Sequence, residues 1–201
     1  MSDTMRGRSR GPIRSLGACA VLAAVVACAP APEPPTEVAG GPDLAALEAR
    51  GREVAGAFQT TLKGELMAAL PDGAEHAIGV CAVRAPEVAA ELSVDGVEIG
   101  RATHRARNPD NAASGWLEPV VAEYAAMDGA GEGRLVELPD DRYGWVEPLY
   151  VAPPCLTCHG TAVPAKLEAA IREIYPDDRA TGFEAGEFRG VVWVTMPAGD
   201  G

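Results

Sequence analysis

Residues 152–162 read APPCLTCHGTA and bring Cys155, Cys158 and His159 together in one short segment. Two thiols three residues apart, with an imidazole directly after the second, form the attachment signature of c-type haem. The thiols add across the porphyrin vinyl groups, and the histidine ligates the iron from below. Competing chemistries need residues this chain does not offer. A structural zinc site takes four ligands, usually a second C-x-x-C or a histidine pair, and no such partner cluster is present. A thioredoxin-like redox pair follows an early strand of a βαβ unit, whereas this motif lies late in the chain. A single C-x-x-C-H occurs, so one covalently held haem c is expected, with His159 as the proximal iron ligand.

The other three cysteines are Cys19, Cys28 and Cys81. Arg6, Arg8, Arg10 and Arg14 precede the apolar run LGACAVLAAVVA, which is short for a bilayer span and reads as an export signal over residues 1–27. It ends in VVAC, small residues before a cysteine, resembling a bacterial lipoprotein cleavage box with Cys28 as the lipidated N-terminus. LGAC at Cys19 has the same look, but cleavage there would leave no apolar segment for export. Residues 28–43 are rich in proline and glycine and read as an extended tether, reaching up to about 45 Å at polyproline spacing. With Cys19 removed and Cys28 lipidated, Cys81, Cys155 and Cys158 remain. An odd number in an oxidising compartment excludes a simple disulfide framework.

Loss of residues 1–27 removes four of the 17 basic and one of the 29 acidic residues, moving the formal charge from −12 to −15. Nucleic acid is therefore not an expected partner, and a basic redox or signalling protein is one the charge would suit. Membrane contact is expected through the lipid alone. Ala29 after Cys28, by resemblance to lipoprotein sorting, favours the outer membrane and a periplasm-facing domain.

Around the motif, the chain supplies one core of ordinary size, residues 44–201. Asp43 is a plausible N-cap for a long helix carrying Val54, Phe58, Leu62 and Leu66 every fourth residue until Pro71, with Gly51 and Gly56 as weak spots. EHAIGVCAVRAPEVAAELSV is helical in composition and interrupted at Pro86, with Cys81 on its first piece. A strand around Val97 and Ile99 leads to the NPDN turn; then come a helix at LEPVVAEYAAM and strands at RLVEL, YGWVEPLYV and GVVWVTM. Pro153 and Pro154 forbid a helix running into the haem motif, and Pro164 opens a short amphipathic helix with Leu167, Ile171 and Ile174. Helices first and strands later, with hairpin-like turns, give an α+β domain with an antiparallel sheet.

The segments AIGVCAVRAPEVA, ARNPDN, WVEPLYVAPPCLTCHG and YPDDRATGFEAGEFRGVVWV, in that order, resemble the exported single-haem c-type domains that occur as small cytochromes and as bacterial sensor domains. The resemblance spans about residues 44–196 and implies a PAS-like fold. The chain departs from the pattern at AASGW, after the RNP turn, and at His104, where a small hydroxyl residue is usual. Spacing alone leaves the second axial ligand open among Cys81, His76, His104, Met67, Met127 and Met196. The resemblance implies a cysteine and histidine pair, with GVCAVRAPE placing the cysteine at Cys81. Arg84, on the same helical face, would favour its thiolate. Arg101, Arg105 and Arg107 cluster at the RNPDN turn, and Arg101 and Arg107 are expected to meet the haem propionates. Trp116, Trp145, Tyr150 and Trp193 are candidates for packing on the porphyrin or in the core.

The functions these residues suit are a redox or gas sensor, in which a thiolate ligand gives way to a diatomic molecule, and a tethered electron carrier. A peroxidase would need a polar distal residue, for which there is no clear candidate.

Overall fold

The computed structural model describes residues 41–199. The expected signal segment, Cys28 and nearly all of the tether lie outside the described residues. Among the described residues, no helix is long and apolar enough to cross a membrane.

The fold is α+β. Helix α1 (Leu44–Ala69) opens the domain, with the Asp43 carboxylate accepting from the Ala46 N–H. A second helical stretch follows as α2 (Ala74–Gly79), a wider turn (Val80–Arg84) and α3 (Ala85–Leu92). Strand β1 (Glu98–Ala102), helix α4 (Leu117–Ala126), β2 (Arg134–Leu138) and β3 (Arg142–Tyr150) come next. The motif then forms its own helical turn, α5 (Leu156–His159), ahead of α6 (Ala165–Ile174) and the long closing strand β4 (Phe188–Pro197). The four strands form one antiparallel sheet in the order β1-β4-β3-β2.

Alternation along β3 and β4 splits the core between the two faces of the sheet. On one face Trp145, Val192, Val194 and Met196 pack against Leu47, Ala55 and Phe58 of α1 and Val88 of α3. On the other, Val146, Val191 and Phe188 pack against Leu117, Val120, Val121 and Tyr124 of α4. Gly51 permits the first contact. A Cβ there would stand 2.3 Å from Trp145 Cβ, so the residue that looked like a helix weak spot is where α1 lies down on the sheet.

Pro86 does not interrupt its helix as expected. A proline has no N–H, and its ring collides with the carbonyl four residues back, here that of Ala82. The chain accommodates this by widening: Val80–Arg84 forms a π-helical turn, closed by the Ala85 N–H donating to the Val80 carbonyl. Cys81 sits inside that turn.

Candidate functional site

The C-x-x-C-H segment is held from one side. Pro153–Cys155 forms a 3-10 turn that passes directly into α5, so Cys155 and Cys158 lie three apart on one helical face. The segment after His159 is then zipped to residues 180–183: the Phe183 N–H donates to the His159 carbonyl at 2.9 Å, and the Gly182 N–H to the Gly160 carbonyl at 2.9 Å. A Cβ on Gly160 would lie 2.6 Å from the Leu156 carbonyl oxygen, so α5 can end this tightly only with glycine.

This zipper orients the imidazole. His159 Nδ1 lies 2.7 Å from the Ala180 carbonyl oxygen, to which it donates, leaving Nε2 with its lone pair free. Burial, together with the charges of Arg189 and Arg107, pushes the His159 pKa down to about 3, so the ring stays neutral and competent as a ligand.

The third thiol, Cys81, lies near this segment. Cys81, Cys155 and Cys158 are free and half-buried; the Cys155 charge bears on Cys81, and the charges of Cys81 and Cys155 bear on Cys158, whose thiol burial pushes up. Burial pushes the Cys81 thiol up, while the positive charges of Arg101, Arg107 and Arg189 pull it down. The flanking Ala82 and the Cys158 side chain both pack against Ile78, Leu167, Ile171 and Tyr175, so α2, the π-turn, α6 and α5 share one apolar cluster. The Tyr175 phenol is pushed up by burial and by the neighbouring Cys81.

The three arginines differ in their commitments. Arg107 is fixed: Nε donates to Asp178 at 3.1 Å, with both side chains largely buried, and Nη2 donates to the Cys158 carbonyl at 2.6 Å and to the Ala180 carbonyl. Asp178 also accepts from the Ala180 N–H at 2.9 Å. Arg107 and Asp178 thus brace both the attachment turn and the carbonyl that orients His159. Arg189 donates to Thr103 Oγ1 and the Arg105 carbonyl, and burial beside Arg107 and Arg101 pushes its pKa down to about 10. Arg101, on the face of β1 shared with Ile99, has no hydrogen bond or ion pair among the described residues. Burial holds its pKa below the usual guanidinium value.

Other expected participants lie elsewhere. Arg105 turns onto the Phe183 ring, 3.8 Å from its centre, and pairs with Glu187. Arg84 points to Glu65 and Glu87, and the charges that bear on Cys81 come from β1, the RNPDN turn and β4 instead. His76 is exposed, His104 stacks on Phe188, Met196 is fully buried under α1, and Met67 and Met127 face solvent. Trp145 is core, Trp116 covers Gly144, Trp193 covers Gly100, and Tyr150 packs on Phe188. Sequence reasoning passed over Arg189, Tyr175, Asp178 and Ala180. All four lie in the quoted run YPDDRATGFEAGEFRG, but their roles depend on a fold-back that spacing does not encode.

Among the described residues, no three histidine, cysteine, aspartate or glutamate side chains converge as a cage for a bare metal ion. An iron carried in a porphyrin asks the protein for two axial ligands only, and the donors present, a neutral imidazole and nearby thiols, suit that demand.

The model of the Tll0287-like family matches residues 31–197. The chain belongs to this family. It is also similar to a solved structure titled the cyanobacterial heme-protein Tll0287, with 28% identity and a TM-score of 0.50, covering 61% of this chain and 74% of that one. No curated protein matches the chain.

Proposed function

We propose that this member of the Tll0287-like family is a monohaem c-type protein with Cys155 and Cys158 in thioether linkage and His159 and Cys81 on the iron, and that it serves as a redox or gas sensor. The observation that carries the reading is the His159 ring, bonded through Nδ1 to the Ala180 carbonyl with Nε2 free, at the end of the turn that carries the unpaired Cys155 and Cys158, with the free Cys81 thiol near enough to feel the Cys155 charge. Haem supplies one-electron chemistry at its iron and, where an axial position opens, a site for a diatomic gas. Arg101, without a described partner, would meet a propionate, and Arg107 would do so while bracing the turn.

Cys81 gives the reading its sensory character. Its thiol is pushed up by burial and held in check by neighbouring positive charge. As a thiolate, Cys81 would serve as a ligand to ferric iron, and the burial that raises its pKa would favour its protonation and release once reduction removed one positive charge. The domain would act from a lipid-anchored, periplasm-facing position through a protein partner. The half-buried Cys155 and the exposed Pro153 and Pro154 favour a second reading, electron transfer, since they would leave a porphyrin edge near solvent.

The test is intact mass and haem staining after denaturing electrophoresis of protein made with haem-maturation machinery. One covalent haem is expected in the wild type and none in C155A/C158A. Release of haem from the wild type under denaturation would overturn the reading. Carbon monoxide binding to the ferrous protein separates sensor from carrier, since an electron carrier with two permanent ligands would bind none.

A further inference from the structure

We infer that Arg84 and Glu65 form a clamp that holds the π-turn in the geometry presenting Cys81, making both of them positioning residues for that thiol; this rests on the ligation reading above. Arg84 closes the five-residue turn in which Cys81 stands second. Its guanidinium reaches across to α1, with Nε donating to Glu65 Oε2 at 2.8 Å and Nη2 to Glu65 Oε1 at 2.9 Å, a parallel two-bond pairing over 19 residues of sequence. Nη1 donates to Glu87 at 2.5 Å, tying the same group to the first turn of α3. One side chain thereby fastens the turn to α1, packed alongside, and to α3, which follows it.

The turn needs fastening because of its own geometry. A π-turn contains one residue more than an α-helical turn over the same rise, and successive helical residues point about 100° apart. If the extra residue moved along the helix or was absorbed at either end, Cys81 would swing away from its neighbours Arg101, Arg107 and Cys155. A wide turn accommodates Pro86, yet the missing N–H of the proline does not fix where the extra residue sits. The two-bond grip on Glu65 does, since only one register places Arg84 over that carboxylate. An ordinary half-exposed ion pair contributes little to stability, so the expected effect of breaking this one lies in where Cys81 points rather than in whether the domain folds.

The test uses the full chain in two forms. In haem-free C155S/C158S protein, Cys81 is the one remaining thiol of the domain, and its alkylation rate reports its presentation. R84M and E65Q are each expected to raise that rate about tenfold, with R84K in between, because a loosened turn exposes the thiol. R134M, which removes a comparable half-exposed pair with Glu123 at α4 and β2, is expected to leave it unchanged. In haem-loaded protein, R84M and E65Q are expected to lose most of the ferric spectral features that C81S also lacks, with thermal melts close to wild type. Alkylation rates in R84M and E65Q within about twofold of the parent would overturn the clamp, as would spectra in which both variants keep the wild-type thiolate features. Identical wild-type and C81S spectra would overturn the ligation reading instead, and the alkylation rates would still decide the clamp.

Discussion

Removal of the Asp178 carboxylate should damage the site from behind, without touching His159 or Cys81. Asp178 is buried with Arg107, their side chains 4% and 10% exposed, and joined at 3.1 Å. It also accepts from the Ala180 N–H, whose own carbonyl orients His159. Asp178→Ala leaves a buried guanidinium without its counter-charge, a change that costs about 3–5 kcal/mol in comparable pairs. Arg107 keeps the Cys158 and Ala180 carbonyls as acceptors, so the low end applies. For a domain of this size, where 1 kcal/mol moves Tm by about 2–4 °C, about 3 kcal/mol corresponds to a drop of roughly 6–12 °C. Differential scanning calorimetry of the haem-free C155S/C158S protein reads this directly, because no propionate is then present to take the place of the Asp178 carboxylate beside Arg107. Asp178→Asn retains an acceptor for the Ala180 N–H and should lose about half as much. Glu168→Ala, which removes an exposed pair with Arg172, should stay within about 2 °C. A drop for Asp178→Ala no larger than that for Glu168→Ala would refute the bracing role.

Two further substitutions separate packing from charge. Gly51→Ala gains about 1 kcal/mol of helix propensity, yet forces a methyl to within 2.3 Å of Trp145 Cβ. Overpacking should win, with a net loss of about 1–2 kcal/mol by urea denaturation, and a stabilised variant would show that α1 does not lie on Trp145. Arg101→Met should act with opposite signs in the two forms of the protein. The haem-free domain loses a buried charge without a described partner and gains about 1 kcal/mol, whereas the haem-loaded protein loses a propionate partner and falls by a similar amount. Shifts of the same sign in both forms would remove Arg101 from the cofactor site.

The parts of the fold carried by short-range pattern were legible in the sequence. The four strands, α1, α4 and α6 follow from apolar spacing and turn residues, because one period places each side chain on the core face. Pro86 was legible only in part. Its missing N–H signals a break, but whether the helix ends or widens depends on α1 packing alongside and on the Arg84–Glu65 contact, which joins residues 19 apart. C-x-x-C-H pointed to haem because its chemistry is local, and the family match supports a haem protein. The supports of His159 come from residues 178–183, and only the fold-back of that loop reveals them. Arg84 illustrates the converse: helical spacing put it on the Cys81 face, but three acidic side chains, Glu65, Glu87 and Glu91, draw it away.

The central claim, that Cys81 and His159 share one iron, is tested most directly by the ferric and ferrous absorption spectra of the haem-loaded wild type beside Cys81→Ser. Expected are thiolate features in the ferric wild type that vanish in the variant, with the covalent haem content unchanged. Superimposable spectra in both oxidation states would contradict it and leave Cys81 as a packing residue of the π-turn.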